Sequence, residues 1–158
     1  MAEGKMADIP VSPYLASLVA IRVNNGGHQV LLMKRTHPPV DQWCQVAGKI
    51  EEGETAWQTA LRELVEETRL VPNSLYSADI CEQFYEPTRN TIAVAPVFVA
   101  FIDDAAEMTL NQEHSAFQWV SFSDAIEMVA FGGQRRVLRW IEAEFIERPP
   151  AEQLRIDV

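Results

Sequence analysis

Three glutamates, Glu63, Glu66 and Glu67, have the type and spacing that metal chemistry needs. In a helix, an advance of about 100° per residue puts all three within an arc of about 100° on one side. Carboxylates crowded in this way repel one another unless a positive charge lies among them. A hard divalent cation such as Mg²⁺ takes oxygen ligands, so the spacing predicts a metal site here.

A helix has to position these carboxylates, and the flanking residues predict where it begins and ends. Thr55 is a suitable N-cap, the helix is expected to run to about Thr68, and Pro72 follows soon after. A glycine turn at Gly48 precedes it. The other side of the helix carries residues that we expect to anchor it on a core: Trp57, Leu61, Leu64 and Val65.

The rest of the chain alternates between apolar, β-branched runs and amphipathic segments. Residues 15–23 and 29–35 are predicted to form a hairpin, because Asn24-Asn25-Gly26-Gly27 between them is a turn sequence. Further strands are predicted at 44–47, 77–85, 91–102 and 116–120. Ser123 is expected to cap a helix that runs to Phe131, Gly132-Gly133 to interrupt the chain, and a last helix to span 134–147. This alternation predicts an α/β (α+β) fold, an α/β/α sandwich on a mixed β-sheet. We expect one domain over residues 1–158, with a core from about 15 to 147 and flexible tails on either side.

The composition is that of a soluble globular protein, with 47% hydrophobic and 23% charged residues. The formal net charge of −10 disfavours long nucleic acid as a partner, because an acidic surface repels phosphate backbones. No run of residues suits a signal peptide or a membrane span, and Cys44 and Cys81 lack a metal-binding spacing. These features predict a cytoplasmic protein with reduced thiols and no membrane partner.

The segment from Gly48 to Leu70 resembles the Nudix box of the Nudix hydrolases, G-x5-E-x7-R-E-U-x-E-E-x-G-U, in which U is apolar. The constrained positions agree at Gly48, Glu54, Arg62, Glu63, Leu64, Glu66, Glu67 and Leu70. The exception is Arg69, where the family has glycine just past the helix, a position that often adopts the left-handed conformation. Pro72 stops the helix in any case. We therefore expect Arg69 to lower the free energy of unfolding by about 1 kcal/mol and to leave catalysis unaffected.

The resemblance implies the Nudix fold and hydrolysis of a nucleoside diphosphate linked to another group, with Mg²⁺ as the cofactor and Mn²⁺ as a substitute. By transfer of the motif, Glu66 and Glu67 are metal ligands, and Glu63 is a third ligand or the base that deprotonates water. Arg62 is expected to orient these acids, and Glu54 to contact the first helical turn or Arg62. The number of metal ions is left open.

Two further ligands are implied by the same resemblance. Many family members supply another acid from outside the box, and Glu113 in LNQEHSAFQWV suits that role as ligand or base. The neighbouring His114 is expected to be structural. The backbone carbonyl of Ala47, beside the Gly48 turn, is the other implied ligand.

Short segments outside the box resemble one branch, the bacterial dihydroneopterin triphosphate and dATP pyrophosphohydrolases: WCQVAGKIEEGET, PTRNT and the EH…W pattern. Basic side chains near the expected site are candidates for substrate phosphates, although each could equally lie on the surface: Lys34, Arg35 and Arg89. Aromatic side chains that could stack on a purine or pterin ring, although aromatics are more often core residues, are Trp43, Phe84 and Tyr85.

The first functional prediction is hydrolysis of a nucleoside triphosphate or a pterin triphosphate to pyrophosphate and a monophosphate. The alternatives are hydrolysis of nucleotide sugars or dinucleoside polyphosphates, and a module that binds a nucleotide without cleaving it. The complete set of box acids disfavours a binding module, and the charge of −10 disfavours RNA decapping. The expected partner is a small phosphoanhydride substrate, and the protein is expected to be a monomer or a homodimer.

Overall fold

A computed structural model of the protein describes residues 4–158; residues 1–3, at the start of the predicted amino-terminal tail, lie outside that range. The strands are β1 (Val11–Ser12), β2 (Leu15–Asn24), β3 (Gly27–Arg35), β4 (Trp43–Cys44), β5 (Val46–Lys49), β6 (Ser74–Glu86), β7 (Thr91–Phe101), β8 (His114–Val120) and β9 (Arg155–Ile156). The helices are α1 (Ala56–Thr68), α2 (Phe122–Met128) and α3 (Gly132–Ile141), with a π-helical turn at Glu142–Ile146 and a 3₁₀ turn at Glu152–Leu154.

The strands form one mixed sheet, whose longest path has the order β4-β3-β2-β7-β6-β9. Strands β2 and β3 form the predicted hairpin, whereas β2 and β7 run parallel. Strand β8 lies beside β3, and β5 pairs with the first half of β2. Because β5 leads into the loop before α1, its pairing with β2 fixes the position of that loop against the sheet.

Both faces of the sheet are buried, because successive residues of β2 enter two different cores. Val19 faces the core that contains Leu138 of α3. Its neighbour Leu18 faces the opposite core, which contains Leu64 of α1. Helices thus cover both faces of a mixed sheet, which confirms the predicted α/β/α arrangement.

Helix α1 begins and ends where the sequence predicts. The Thr55 hydroxyl accepts a hydrogen bond from the Gln58 backbone at 3.2 Å, and the Gln58 side chain accepts one from the Thr55 backbone at 2.8 Å. Arg69 follows the helix with φ of 64°, in the left-handed region. Val65 does not anchor the helix as predicted, since it is 37% exposed. The helix packs through the side that carries Leu64, about 100° away from Val65.

The predicted boundaries of the later helices are wrong by a few residues. Helix α2 is capped by Ser121, whose hydroxyl accepts a hydrogen bond from the Asp124 backbone at 3.1 Å, and not by Ser123. This earlier start lets Phe122 enter the core, where it is 3% exposed. Gly132-Gly133 begins helix α3 instead of interrupting the chain before it.

Short strands lie in both of the segments predicted to be flexible tails. Val11 of β1 is paired with Ile92 of β7, and Ile156 of β9 is paired with Leu75 of β6. Ile156 also packs against a core cluster. Two-residue strands are too short to produce an alternating pattern, so the sequence carries no signal for them. Within residues 4–158, no helix is both long enough and apolar enough to span a membrane.

Candidate active site

Arg62 joins the acids of the 48–70 segment into one network of ion pairs. Its Nε and Nη2 atoms donate to the two carboxylate oxygens of Glu54 at 2.8 and 3.0 Å. Its Nη1 atom donates to Glu63 at 2.8 Å and to Glu66 at 3.3 Å. The hydrogen bonds from Arg62 lower the pKa of Glu54 to about 2, and Glu54 in turn raises the pKa of Arg62. Arg62 therefore stays charged and holds the Glu63 carboxylate in a defined position.

Gly48 allows strand β5 to lie directly against helix α1. A Cβ atom at position 48 would overlap the side chain of Glu63, so no larger residue fits without moving that carboxylate. The contact between strand and helix is reinforced one residue later, where the Lys49 carbonyl accepts a hydrogen bond from Arg62 at 3.0 Å. The glycine of the motif is thus required by close approach.

Glu67 points into the protein, where it meets His114, the first residue of β8, and Glu113, which precedes that strand. Ligand atoms of these three residues lie within 4.8 Å of one another. Glu67 is only 2% exposed, and its Oε2 atom is buried without a hydrogen-bond partner among residues 4–158. Burial raises the pKa of Glu67 to about 9, with further contributions from the charges of Glu63 and Glu113, while Arg35 acts in the opposite direction.

His114 and Cys44 complete the buried surroundings of Glu67. His114 is 7% exposed, its Nε2 atom is 3.7 Å from the Cys44 sulfur, and its Nδ1 atom has no partner within the described part of the chain. Burial lowers the pKa of His114 and raises the pKa of Cys44 to about 11. The thiol stays protonated near neutral pH, which makes it a poor nucleophile. The sequence favoured a structural role for His114, whereas its position beside Glu67 also makes it a candidate ligand.

The other predicted ligands lie around this cluster. Glu66 is on the same helix but its side chain is 53% exposed, and it contacts Arg62 at the rim. Ala47 is exposed in β5 opposite Ser17 of β2. Of the motif residues, Leu64 and Leu70 are fully buried in the core beneath α1.

A cleft of about 540 Å³ has Arg35, Cys44 and Ala47 among its lining residues. Strands β2, β4, β5 and β6 and the start of α3 contribute to its walls. Among its lining residues are four that the sequence analysis singled out as substrate contacts: Arg35, Trp43, Phe84 and Tyr85. Phe84 and Tyr85 are 42% and 54% exposed, so these aromatic rings are available to a ligand.

Lys34 and Arg89, the other two candidates for phosphate binding, do not line this cleft. Lys34 is paired with Trp43 within the sheet. The Arg89 guanidinium lies 4.5 Å from the centre of the Tyr14 ring and 3.8 Å from the Glu86 carboxylate. Tyr14 donates a hydrogen bond to Glu86, so Arg89 has structural partners of its own.

Sequence reasoning missed a group of polar residues that line the same cleft: Ser17, Gln45, Glu82 and Gln134. They are joined by hydrogen bonds, and one of these bonds links residues 89 positions apart. No local spacing in the sequence signals such a group, because its members come from β2, the link between β4 and β5, β6 and α3.

Comparison with known proteins agrees with this arrangement. The family model of the NUDIX domain matches residues 13–141, which is most of the chain. The chain belongs to the NUDIX family. This Nudix protein is therefore a hydrolase, a pyrophosphohydrolase that acts on phosphorus-containing anhydrides.

Tetraphosphate hydrolase activity from one nematode appears both among the similar sequences and among the similar structures. The bis(5'-nucleosyl)-tetraphosphatase [asymmetrical] of Caenorhabditis elegans is 28% identical over 81% of the Nudix chain and 93% of its own length. A C. elegans Ap4A hydrolase crystallised as a binary complex is 26% identical, with a TM-score of 0.71, and 82% and 94% of the two chains are covered. The E. coli dihydroneopterin triphosphate pyrophosphohydrolase has a TM-score of 0.68 at 22% identity, covering 89% and 100% of the chains, a likeness of fold alone.

Nudix hydrolases generally need a divalent metal, and the residues of this site fit one. A bound cation would give the unpartnered Glu67 oxygen a partner. It would also lower the raised pKa of Glu67, because it attracts each of the surrounding carboxylates. Glu67 and Glu113 supply oxygen donors, and His114 supplies nitrogen. Carboxylates suit Mg²⁺ and Mn²⁺, and an added imidazole also suits Mn²⁺ and other transition metals.

Proposed function

We propose that this Nudix hydrolase cleaves the phosphate chain of dinucleoside polyphosphates in a reaction that depends on Mg²⁺. The observation that carries the proposal is that residues beside the acid cluster also line the aromatic-walled cleft. Arg35 and Cys44 line the cleft, and both lie close enough to the cluster to interact electrostatically with Glu67. A nucleoside held in the cleft would therefore extend its phosphates towards the acids.

The similarity to tetraphosphate hydrolase from C. elegans, at 28% identity in sequence and 26% for the solved structure, supports this substrate class over the triphosphates that the sequence alone favoured. The short segment matches support a nucleoside or pterin triphosphate as the second candidate. One of these segments, PTRNT, follows Phe84 and Tyr85 in the chain, and both of these residues line the cleft. Both classes present the same chemical problem, an anhydride shielded by negative charge.

Glu67 and Glu63, with Glu66 and Glu113, are the residues that we propose to hold the cation. A bound divalent ion supplies the positive charge that offsets the crowded phosphate oxygens. Arg35 adds a second positive group, since its Nε atom is buried without a partner within residues 4–158 and its Nη2 atom donates to the Pro38 carbonyl at 3.0 Å. Arginine suits this task because its donors match phosphate oxygens.

The reaction needs a base for the attacking water, and we propose Glu63 or Glu113 for that role. As the water oxygen bonds to phosphorus, the carboxylate takes the water's proton and the phosphoanhydride P–O bond breaks, leaving its electron pair on the departing phosphate. Burial raises the pKa of Glu63, although Arg62 opposes this effect, which makes Glu63 a better proton acceptor than an exposed glutamate.

The test is hydrolysis of a substrate panel with Mg²⁺, with Mn²⁺ and with EDTA. The panel contains dinucleoside tetraphosphates, nucleoside triphosphates, deoxynucleoside triphosphates, dihydroneopterin triphosphate and nucleotide sugars. We expect unequal cleavage of the tetraphosphate into a triphosphate and a monophosphate, separated by anion-exchange chromatography. Preferred release of pyrophosphate from a triphosphate would replace the first candidate by the second. If the folded protein hydrolyses none of these substrates, both candidate functions are contradicted.

Variants test the assigned residues. Glu67→Gln is expected to lower kcat by several orders of magnitude, since it removes a hard ligand, and Glu113→Gln to cause a smaller loss. Glu107→Gln makes the same chemical change at an exposed position outside the site and is the matched control. Near-native turnover of Glu67→Gln at saturating Mg²⁺ would remove Glu67 from the metal site.

A further inference from the structure

Four polar side chains outside the 48–70 segment form a hydrogen-bonded row along the cleft: Ser17, Gln45, Glu82 and Gln134. The Gln45 amide nitrogen donates to the Ser17 hydroxyl at 3.1 Å and to the Glu82 carboxylate at 3.2 Å. The Gln134 amide nitrogen donates to the Gln45 oxygen at 3.2 Å. These bonds hold the row in one arrangement before any ligand arrives.

The row leaves one acceptor and one donor unused. Gln45 has only two amide hydrogens, and both are occupied. Glu82 uses its Oε2 atom for Gln45, whereas its Oε1 atom has no hydrogen-bond partner among residues 4–158. Gln134 donates one amide hydrogen to Gln45 and accepts from the Phe131 backbone at 3.1 Å, so its second amide hydrogen is free.

Glu82 is poorly explained as a structural acid. Burial raises the pKa of Glu82, while the Gln45 hydrogen bond and the charge of Arg136 oppose this effect, and no basic side chain within residues 4–158 comes close enough to Glu82 to form an ion pair. Gln45 needs only an oxygen acceptor at this position, which a neutral amide would supply without the cost of burying a charge. A carboxylate with a free oxygen facing a cleft is better suited to accept hydrogen bonds from a ligand.

The neighbouring walls of the cleft are aromatic. Trp43, Phe84 and Phe131 line it, and the last two are 42% and 55% exposed. Flat aromatic faces beside one acceptor and one donor match a heteroaromatic ring, which can stack through its faces and form hydrogen bonds through its edge.

We propose that Glu82 and Gln134 select nucleotides whose base carries an exocyclic amino group, such as adenine, guanine or a pterin. Glu82 Oε1 accepts a hydrogen bond from the amino group, and the free Gln134 N–H donates to an unprotonated ring nitrogen next to it. The inference rests on the proposed function for the identity of the ligand as a nucleotide. It assigns base selection to residues separate from the acids that act on the phosphates.

Binding of nucleoside monophosphates tests this selection without requiring turnover. Two matched pairs differ only in the amino group: AMP against purine riboside monophosphate, and GMP against IMP. Ligand-observed NMR titrations give the dissociation constants. We expect the amino group to tighten binding to the wild-type protein about tenfold in at least one pair, as a hydrogen bond to a charged acceptor does.

Substitutions of Glu82 separate recognition from a structural effect. Glu82→Met fills similar space but cannot accept a hydrogen bond, so the two members of each pair should bind equally. Glu82→Gln has a single side-chain oxygen, and when that oxygen accepts from Gln45 an amide N–H faces the ligand, so this variant should lose most of the preference for the amino group. Glu107→Gln, at an exposed position, should match the wild type. If Glu82→Met does not fold, the smaller preference of Glu82→Gln decides the question.

Equal affinity of the wild-type protein for both members of each pair would overturn the proposal. So would an unchanged preference in the folded Glu82 variants, which would place the selection elsewhere. The proposed function fails separately, by absence of hydrolysis from the substrate panel. A protein that prefers amino-bearing monophosphates but cleaves no dinucleoside polyphosphate would refute that function and keep the base selection.

Discussion

Glu67 is a carboxyl group that folding removes from water and places beside two other acids. Its pKa is about 9 in the folded chain without metal, against 4.5 for an unperturbed glutamate. Between these values the native state binds a proton that the unfolded state has released. Stability therefore falls as the pH rises through this window, because the unfolded chain gains more from ionisation. A divalent cation binds the ionised form and should reverse the effect.

Glu67→Gln should therefore make the metal-free protein more stable, and the gain should grow from about pH 5 to pH 8. The amide removes the buried charge while keeping a similar shape. Thermal unfolding in EDTA across this pH range gives the comparison, with an expected increase in Tm of a few degrees at the upper end. Mg²⁺ should raise the Tm of the wild type and have much less effect on the variant.

Glu107→Gln serves as the control, since it removes an exposed acid outside the cluster and should respond to pH and to Mg²⁺ like the wild type. The account of Glu67 is wrong if Mg²⁺ stabilises the wild type and Glu67→Gln equally. It is also wrong if the difference in Tm between them does not change with pH.

Gly48→Ala should reduce turnover without unfolding the protein. The added methyl group would overlap the Glu63 side chain and push that carboxylate out of its contact with Arg62. We expect a decrease in kcat of about 100-fold, the size of effect that a displacement of about 1 Å can cause. Gly27→Ala is the matched control, because its new methyl group would meet only the Asn24 carbonyl oxygen at 3.8 Å. Equal activity of the two variants would contradict the role given to Gly48.

The box acids could be predicted from the sequence because they lie on one helix, where spacing determines direction. Burial of Glu67 could not be predicted, since it depends on where β8 places Glu113 and His114. The same limit applies to Glu82 and Gln134, which reach the cleft from β6 and α3. A single sequence records neighbours along the chain, whereas these contacts are created by packing.

Arg69 ends helix α1 in a conformation that glycine adopts more easily. With φ of 64°, an arginine Cβ lies close to its own backbone, and the side chain is exposed with no compensating ion pair among the described residues. Arg69→Gly should raise the free energy of unfolding by up to about 1 kcal/mol, reduced by the greater freedom of glycine in the unfolded chain. Urea denaturation measures this change, and kcat should stay the same.

Arg69→Ala separates the backbone effect from the loss of the side chain. Alanine keeps the Cβ atom and the strain, so it should give no comparable gain. If alanine stabilises the protein as much as glycine, the arginine side chain is the unfavourable feature. A large loss of kcat in Arg69→Gly would instead assign the arginine a functional role.

The start of a helix could be predicted where the sequence offered only one suitable capping residue. Thr55 is followed by a well-placed Gln58, and α1 begins there as expected. Ser121 and Ser123 both suit a cap, and the choice between them depends on whether Phe122 reaches the core. That choice belongs to tertiary packing, which overrides local preference.

At the scale of the molecule, alternating burial explains why the layered arrangement could be predicted but not the order of the strands. Apolar runs such as Leu15–Asn24 are buried on both faces, which requires helices above and below the sheet. The hairpin of β2 and β3 is local and its turn predicts it, whereas the parallel pairing of β2 with β7 joins segments far apart in sequence, and no local pattern encodes it. The cleft lies among these non-local elements, so its shape could not be predicted either.

The carboxyl-terminal strand should stabilise the whole fold without taking part in catalysis. Ile156 pairs with Leu75 and packs on one core, while Leu154 packs on the other. A chain ending after Pro150 loses both side chains, at a cost of about 1–2 kcal/mol. The expected fall in Tm is about 2–8 °C, with kcat at 25 °C retained by the folded fraction. A chain ending after Ile156 loses only Asp157 and the exposed Val158, and should melt like the full chain. Identical Tm values for the two truncations would mean that β9 contributes nothing to stability.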